Sequence, residues 1–133
     1  MGNRAVIAFE QNGKQDKNSV GIYLHWNGGR DSVEGFLQTA KDYGLRSGSY
    51  GVARLTQIIC NCFAGTLSVG VDMLNKLDCD NYDNGVYWVD KEFNIVGRDH
   101  NDRADFKEQQ QYPLADFVKG VKEDNDIHFN SKH

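Results

Sequence analysis

Much of what would classify this chain is scarce or missing. Of its 133 residues only Pro113 is proline, and aromatics are plentiful at 11%, a balance that argues against a disordered or linker-rich protein. Cysteine is rare and odd in number: Cys60, Cys62 and Cys79. An odd count without secretory features reads as reduced thiols in a cytosol. No hydrophobic run approaches the roughly 20 residues of a membrane helix. The start, Met1-Gly2-Asn3-Arg4, leads straight into a short apolar segment rather than a signal peptide. Position 6 is Val6, where a myristoylation signal needs Ser or Thr. Positive charge is in deficit, with 15 Lys and Arg against 19 Asp and Glu and a net charge of −4. Such a surface repels nucleic acid and anionic membranes, so neither extended nucleic acid nor a membrane is an expected partner.

Catalytic and metal-binding signatures are also lacking. There is no Gly-x-Ser-x-Gly and no phosphate loop of the Walker type. His25 near Asp31, or Asp99 beside His100, can be written as an acid–base pair. Nothing assembles nucleophile, base and orienting group together, so no catalytic residue is assigned. Cys60 and Cys62 sit in a helical pattern and point about 200° apart, which rules them out as a metal pair. The four histidines are scattered, so no metal site and no cofactor is expected. The acidic loop Asp78-Cys79-Asp80-Asn81-Tyr82-Asp83-Asn84 lacks the mid-loop glycine and distal glutamate of an EF-hand. It reads as a solvated turn held by side-chain-to-backbone bonds.

What is present is patterning. Arg4 to Glu10 reads as a strand. Val20, Ile22 and Leu24 alternate with Gly21, Tyr23 and His25, the period of a half-buried strand pairing with the first as a hairpin. Ser32 to about Leu45 carries Val33, Phe36, Leu37, Ala40 and Tyr43 on one helical face, with Gly44 as a C-cap. Tyr50 to Phe63 is a second, more apolar helix, with Leu55, Ile58, Ile59, Cys62 and Phe63 as its stripe and Arg54, Gln57 and Asn61 on its polar face. Leu67 to Val71 is a short strand. Val86 to Asp90 and Phe93 to Arg98 form a second hairpin around Lys91-Glu92. On that hairpin one of Tyr87 and Trp88 should face the core and the other outward. Residues 99–111 read as a polar loop. Pro113 opens a last helix with Leu114, Phe117, Val118 and Val121 on one face. The tail after Glu123, residues 124–133, reads as polar and frayed. The order predicts a single domain over residues 1–133 of the α+β class: a mostly antiparallel sheet of about five strands, two central helices and a C-terminal helix.

The segment Trp26-Asn27-Gly28-Gly29-Arg30-Asp31-Ser32 is the most informative part of the chain. It joins a strand to a helix through a double-glycine turn. Glycines tolerate positive φ and let backbone approach a ligand closely. Asp31 or Ser32 is placed to cap the helix, with Glu34 completing a capping box. A glycine turn at a helix start offers free N–H groups and a positive dipole end, which suits phosphate. Arg30 adds a guanidinium, and Trp26 a face on which a base can stack. The plainer reading is a tight connection and nothing more.

A binding constellation follows from residue chemistry. Trp26, Tyr82, Tyr87 and Trp88 supply stacking faces. Arg30, Arg54 and Arg98 supply planar cations for phosphate or for stacking on purines. Asn27, Asn84 and Asp99 supply partners for base edges and ribose hydroxyls. The predicted ligand-binding set is therefore Trp26, Asn27, Gly28, Gly29, Arg30, Arg54, Tyr82, Asn84, Arg98 and Asp99. Phosphates are expected at Gly28, Gly29 and Arg30 or between Arg54 and Arg98. Arg46 and Arg103 read as ordinary surface salt-bridging residues.

Four segments carry a family resemblance: the opening Gly2-Asn3-Arg4-Ala5-Val6-Ile7; the block from Gly21 through Leu24-His25-Trp26-Asn27-Gly28-Gly29-Arg30-Asp31-Ser32-Val33; Tyr50-Gly51-Val52-Ala53-Arg54-Leu55; and Leu67-Ser68-Val69-Gly70-Val71-Asp72 with Asp78-Cys79-Asp80-Asn81. Together these resemble the Thoeris anti-defence protein 1 family of small phage and prophage proteins, over roughly residues 3–99. The resemblance implies a sponge. Bacteria with a TIR-domain defence make a cyclic ADP-ribose isomer as an alarm signal, and the phage protein binds it intact and withholds it from the effector. Related members are linked to capture of cyclic oligonucleotides and to assembly from dimers into larger homo-oligomers. Arg30, Arg54 and Arg98 are chosen from their chemistry and are not carried over from the family. The expectation is a non-enzymatic protein in the cytoplasm of an infected bacterial host. The alternatives are an anti-CRISPR-type inhibitor of a host defence enzyme, using an acidic surface, and a nucleotide-cleaving enzyme.

Overall fold

Alternating apolar residues build a sheet whose two faces are covered differently. The structure, a computed structural model, describes residues 2–99 and 112–129. Five strands, β1 (Ala5–Phe9), β2 (Val20–Leu24), β3 (Val69–Met73), β4 (Val86–Val89) and β5 (Ile95–Asp99), form one sheet in the order β3-β2-β1-β4-β5. Neighbours are antiparallel except β1 and β4, which run parallel, Val6 opposite Val86 and Phe9 opposite Val89. Helices α1 (Arg30–Asp42) and α2 (Gly48–Cys62) link β2 to β3, and α3 (Leu114–Phe129) packs against both. The α+β class, the mostly antiparallel five-stranded sheet, the two central helices and the C-terminal helix are all present.

The helices cover one face. Ala5, Ile7, Ile22, Leu24, Tyr87 and Val89 from the sheet meet Val33, Phe36, Leu37 and Ala40 of α1, Leu55, Ile58 and Ile59 of α2, and Val121 and Phe129 of α3. The α2 stripe is thus core, and each such side chain contributes about 1.5–3 kcal/mol by leaving water. Alpha-helix α1 lies so close to α3 that a methyl group at Gly35 would overlap the Phe117 ring. The opposite face holds a smaller cluster, Val6, Ala8, Val86 and Trp88, roofed by Leu74, Leu77 and Cys79 from the segment after β3. Every residue from Ala5 to Ala8 is therefore fully buried.

Several boundaries differ from the sequence reading. The third strand is Val69–Met73, later than the expected 67–71. The α1 helix starts at Arg30 with Gly29 as N-cap, and no side chain caps it. Glu34 instead accepts from Arg30 Nε at 2.6 Å, so the capping box does not form. Tyr87 and Trp88 are both buried, at 0% and 5% exposure, because the open face carries a roof of its own. The polar tail does not fray at 124: α3 runs to Phe129. Asn125, fully buried, holds it there by donating to Ile58 O and Val121 O and accepting from Asn61 Nδ2. The expected polar loop beyond Asp99, with His100 and Arg103, and residues 130–133 lie outside the described residues.

Candidate functional site

The strand register gathers the predicted site residues, apart from Arg54, at one end of the sheet. There β2 ends and β1 begins (Ala5 opposite Leu24), and β4 begins where β5 ends (Val86 opposite Asp99). The turn from Trp26 to Gly29, the start of α1 and the residues before β4 converge on the same end. Trp26 is 45% exposed and meets the His25 ring edge to face at 5.0 Å. Asn27 has the positive φ of the turn, at 57°.

Gly28 makes its close approach to its own chain. Its N–H donates to Asn3 O at 2.8 Å and its carbonyl accepts the Tyr87 hydroxyl at 2.7 Å. A Cβ at Gly28 would lie 2.6 Å from Asn3 O. Backbone sterics therefore explain this glycine before any ligand does. At the helix start Asp31 is 4% exposed. Its carboxylate accepts from Ser32 N at 2.7 Å and from Tyr112 N at 2.9 Å. A carboxylate there is stabilised by the positive helix end, so a phosphate at Gly29 meets charge already in place.

Arg98 is preset. Its guanidinium lies over the Tyr87 ring at 3.8 Å and donates to Asn84 O at 2.8 Å. Asn84 is 2% exposed and donates to Asn3 Oδ1 and Arg4 O. Arg4 pairs with Asp83 at 2.8 Å, beside the exposed Tyr82. The acidic loop is held as expected by side-chain-to-backbone bonds, but from inside: buried Asn81 donates to Asp78 O and Gly85 O and accepts from the N–H groups of Asp83 and Gly85. Arg30 lines a groove of about 270 Å³ between α1 and the β4–β5 hairpin.

Asp99 belongs to the other face. It accepts the Trp88 indole N–H at 2.9 Å. With Trp88, Leu77, Cys79, Asp78 and Asp80 it borders a cleft of about 670 Å³. Burial, then the Asp78 and Asp99 charges, push the Cys79 thiol above its ordinary value. Arg54 lies apart from all of these, in the second turn of α2. The start of that helix, at Gly48 and Gly51, faces Phe9, Asp90 and Phe93 at the far end of the sheet. Arg54 and Arg98 are thus not a phosphate pair on one surface.

The sequence reading did not single out Tyr87 as an anchor for both Gly28 and Arg98, Asn3 and Asp83 as partners, or the Trp88–Asp99 bond. The β4–β5 register sets Arg98 opposite Tyr87 and brings Asp99 to Trp88, whereas only the parallel β1–β4 pairing brings Asn3, Arg4 and Gly28 to Asp83, Asn84 and Tyr87, and no local pattern announces it. Among the described residues no group of three or more His, Cys, Asp or Glu is placed to hold a metal ion, and no helix is long and apolar enough to cross a membrane. Set against family models, curated proteins and solved structures, the chain finds no match.

Proposed function

We propose that this protein binds a cyclic nucleotide signal of the cyclic ADP-ribose type and withholds it without cleaving it, as a phage anti-defence sponge of the Thoeris kind acting in the bacterial cytoplasm. The supporting observation is the convergence at one sheet end of an exposed indole, Trp26, with a preset guanidinium, Arg98, and a fixed carboxamide, Asn84. A guanidinium already held in place loses little freedom on binding. Arg30, at the start of α1 after the same turn, is paired with Glu34, so a phosphate there must compete with that carboxylate. Exposed Leu67, Val71 and Met73 on and beside the edge strand β3 support self-association, since an open apolar edge favours pairing with another chain.

Sequestration makes a claim about mass balance. Substoichiometric protein is incubated with a cyclic ADP-ribose isomer, then heated, and the supernatant is assayed. Ligand should be depleted only up to the number of sites, and recovered whole after heating. Depletion beyond the protein concentration, with a linear product, would identify an enzyme instead. Retention in a cell needs micromolar binding or better, about 8 kcal/mol, so a millimolar constant also refutes the reading. Trp26→Ala should weaken binding by about 1–3 kcal/mol, the usual worth of a stacked base, with folding unchanged.

A further inference from the structure

Among the described residues Arg46 and Arg54 have no acid to answer them. Arg46 and Arg54 both lie against the Tyr50 ring, their guanidinium carbons 4.3 and 5.2 Å from its centre. Neither forms an ion pair or a hydrogen bond among the described residues. This replaces the salt-bridging role expected for Arg46. Arg54 Nη1 is buried and has no acceptor. A buried donor without a partner costs about 1–3 kcal/mol, more when charged, so an acceptor that draws the Arg54 head outward recovers that cost. Tyr50 is half-exposed, which leaves the cluster open to solvent. Its helix also begins nearby. Ser47 makes no side-chain cap there and the first turn holds no acidic residue, so the free N–H groups of α2 add positive potential. The carboxylate on the adjoining β4–β5 turn, Asp90, accepts the N–H groups of Glu92 and Asn94 through Oδ1.

We infer that Arg46, Tyr50 and Arg54 form an oxyanion site that takes the phosphoryl group of a small molecule. Two guanidiniums and a helix start supply forked, charge-assisted donors, and the ring holds the forks in position. The site lies away from the sheet-end cluster and stands whether or not the signal-binding reading holds. A small phosphoester fits better than a nucleic-acid backbone, because the net charge of −4 repels a polyanion beyond this patch.

The test is a titration of ¹⁵N-labelled wild-type protein with inorganic phosphate, AMP and a short single-stranded oligonucleotide at constant ionic strength, following arginine Nε–Hε signals. Phosphate and AMP should move the Arg46 and Arg54 signals saturably, whatever they do at Arg30 and Arg98. R54M should weaken phosphate binding about tenfold or more while keeping or raising the melting temperature, since it removes the orphan donor. No saturable shift at Arg46 and Arg54, or shifts confined to Arg30 and Arg98, overturns the site. Oligonucleotide binding with phosphate and AMP silent overturns the small-molecule assignment. The wild-type titration decides these outcomes even if the variant misfolds.

Discussion

The two ends of the sheet use arginine in opposite ways. Where β1 begins, Arg4 is paired with Asp83, Arg30 with Glu34, and Arg98 lies on Tyr87 and donates to Asn84 O. At the far end, Arg46 and Arg54 share one tyrosine ring and nothing else. The first group costs little to bury because each cation has an answering oxygen. It also carries architecture, through the bonds that tie β1, β4 and the turn before α1 together. The second group contributes little to the fold and retains its capacity for external anions. Guanidinium content alone does not separate these roles; the oxygens gathered around each guanidinium do.

Substitutions can break this contrast in order of severity. Ile59→Asp should cost about 3–5 kcal/mol, the penalty of an unpaired buried charge, because Ile59 is fully buried in the core that both ends share. Circular dichroism should show an unfolded or sharply less stable protein; a native melting curve would remove α2 from the core. Gly28→Ala acts on the crowded end alone. Its new methyl meets backbone at 2.6 Å, and a loss of about 1–3 kcal/mol by chemical denaturation is expected for overpacking of this kind. Tyr87→Phe should cost about 1–2 kcal/mol, since it strands the buried Gly28 carbonyl. It should also loosen Arg98, seen as faster exchange of the arginine Nε–H.

Arg30→Ala sharpens the comparison from the ligand side. If the crowded end holds the signal, calorimetry should show affinity falling by about 1.5–3 kcal/mol with stability nearly unchanged. Wild-type affinity would leave this arginine to its helix. The smallest expected effect is a pH dependence outside both ends. Hydrogen bonds from Lys122 and then Gln38 hold the Asp42 carboxyl below its ordinary value. A depressed carboxylate stabilises the fold above its unfolded pKa and loses that contribution as pH falls through the folded one. The melting temperature should therefore decline slightly more on acidification in the wild type than in Asp42→Asn.

Period and punctuation in the sequence were enough for the hairpins, for the α1 and α2 faces and for the Pro113 helix start, because each depends on neighbours in the chain. The α1 boundary was misread because Asp31 carries two signals at once. It is a good capping residue, but its carboxylate is used by Tyr112 across the fold. Frayed ends were expected after Glu123 because Asn125 is polar, and nothing local shows that its carboxamide would be buried against α2. Likewise the alternation of Tyr87 and Trp88 predicts one inward and one outward ring, because nothing local shows that Leu74 and Leu77 roof the second face. The predicted site residues share a sheet end because β1 and β4 are parallel. Arg54 was grouped with Arg98 by chemistry alone, and helix direction separates them.

The parallel β1–β4 pair also sets an order of events during synthesis. Residues 5–9 leave the ribosome early, followed by β2, α1, α2 and β3, which can pair and pack in sequence on one side of β1. The other edge of β1 has no partner until residues 86–89 appear. For that interval an almost wholly apolar strand presents open N–H and carbonyl groups, the kind of edge that recruits other chains. Nascent copies on one message are therefore exposed to mispairing through β1, and a chain stalled before residue 86 should aggregate where the finished one does not.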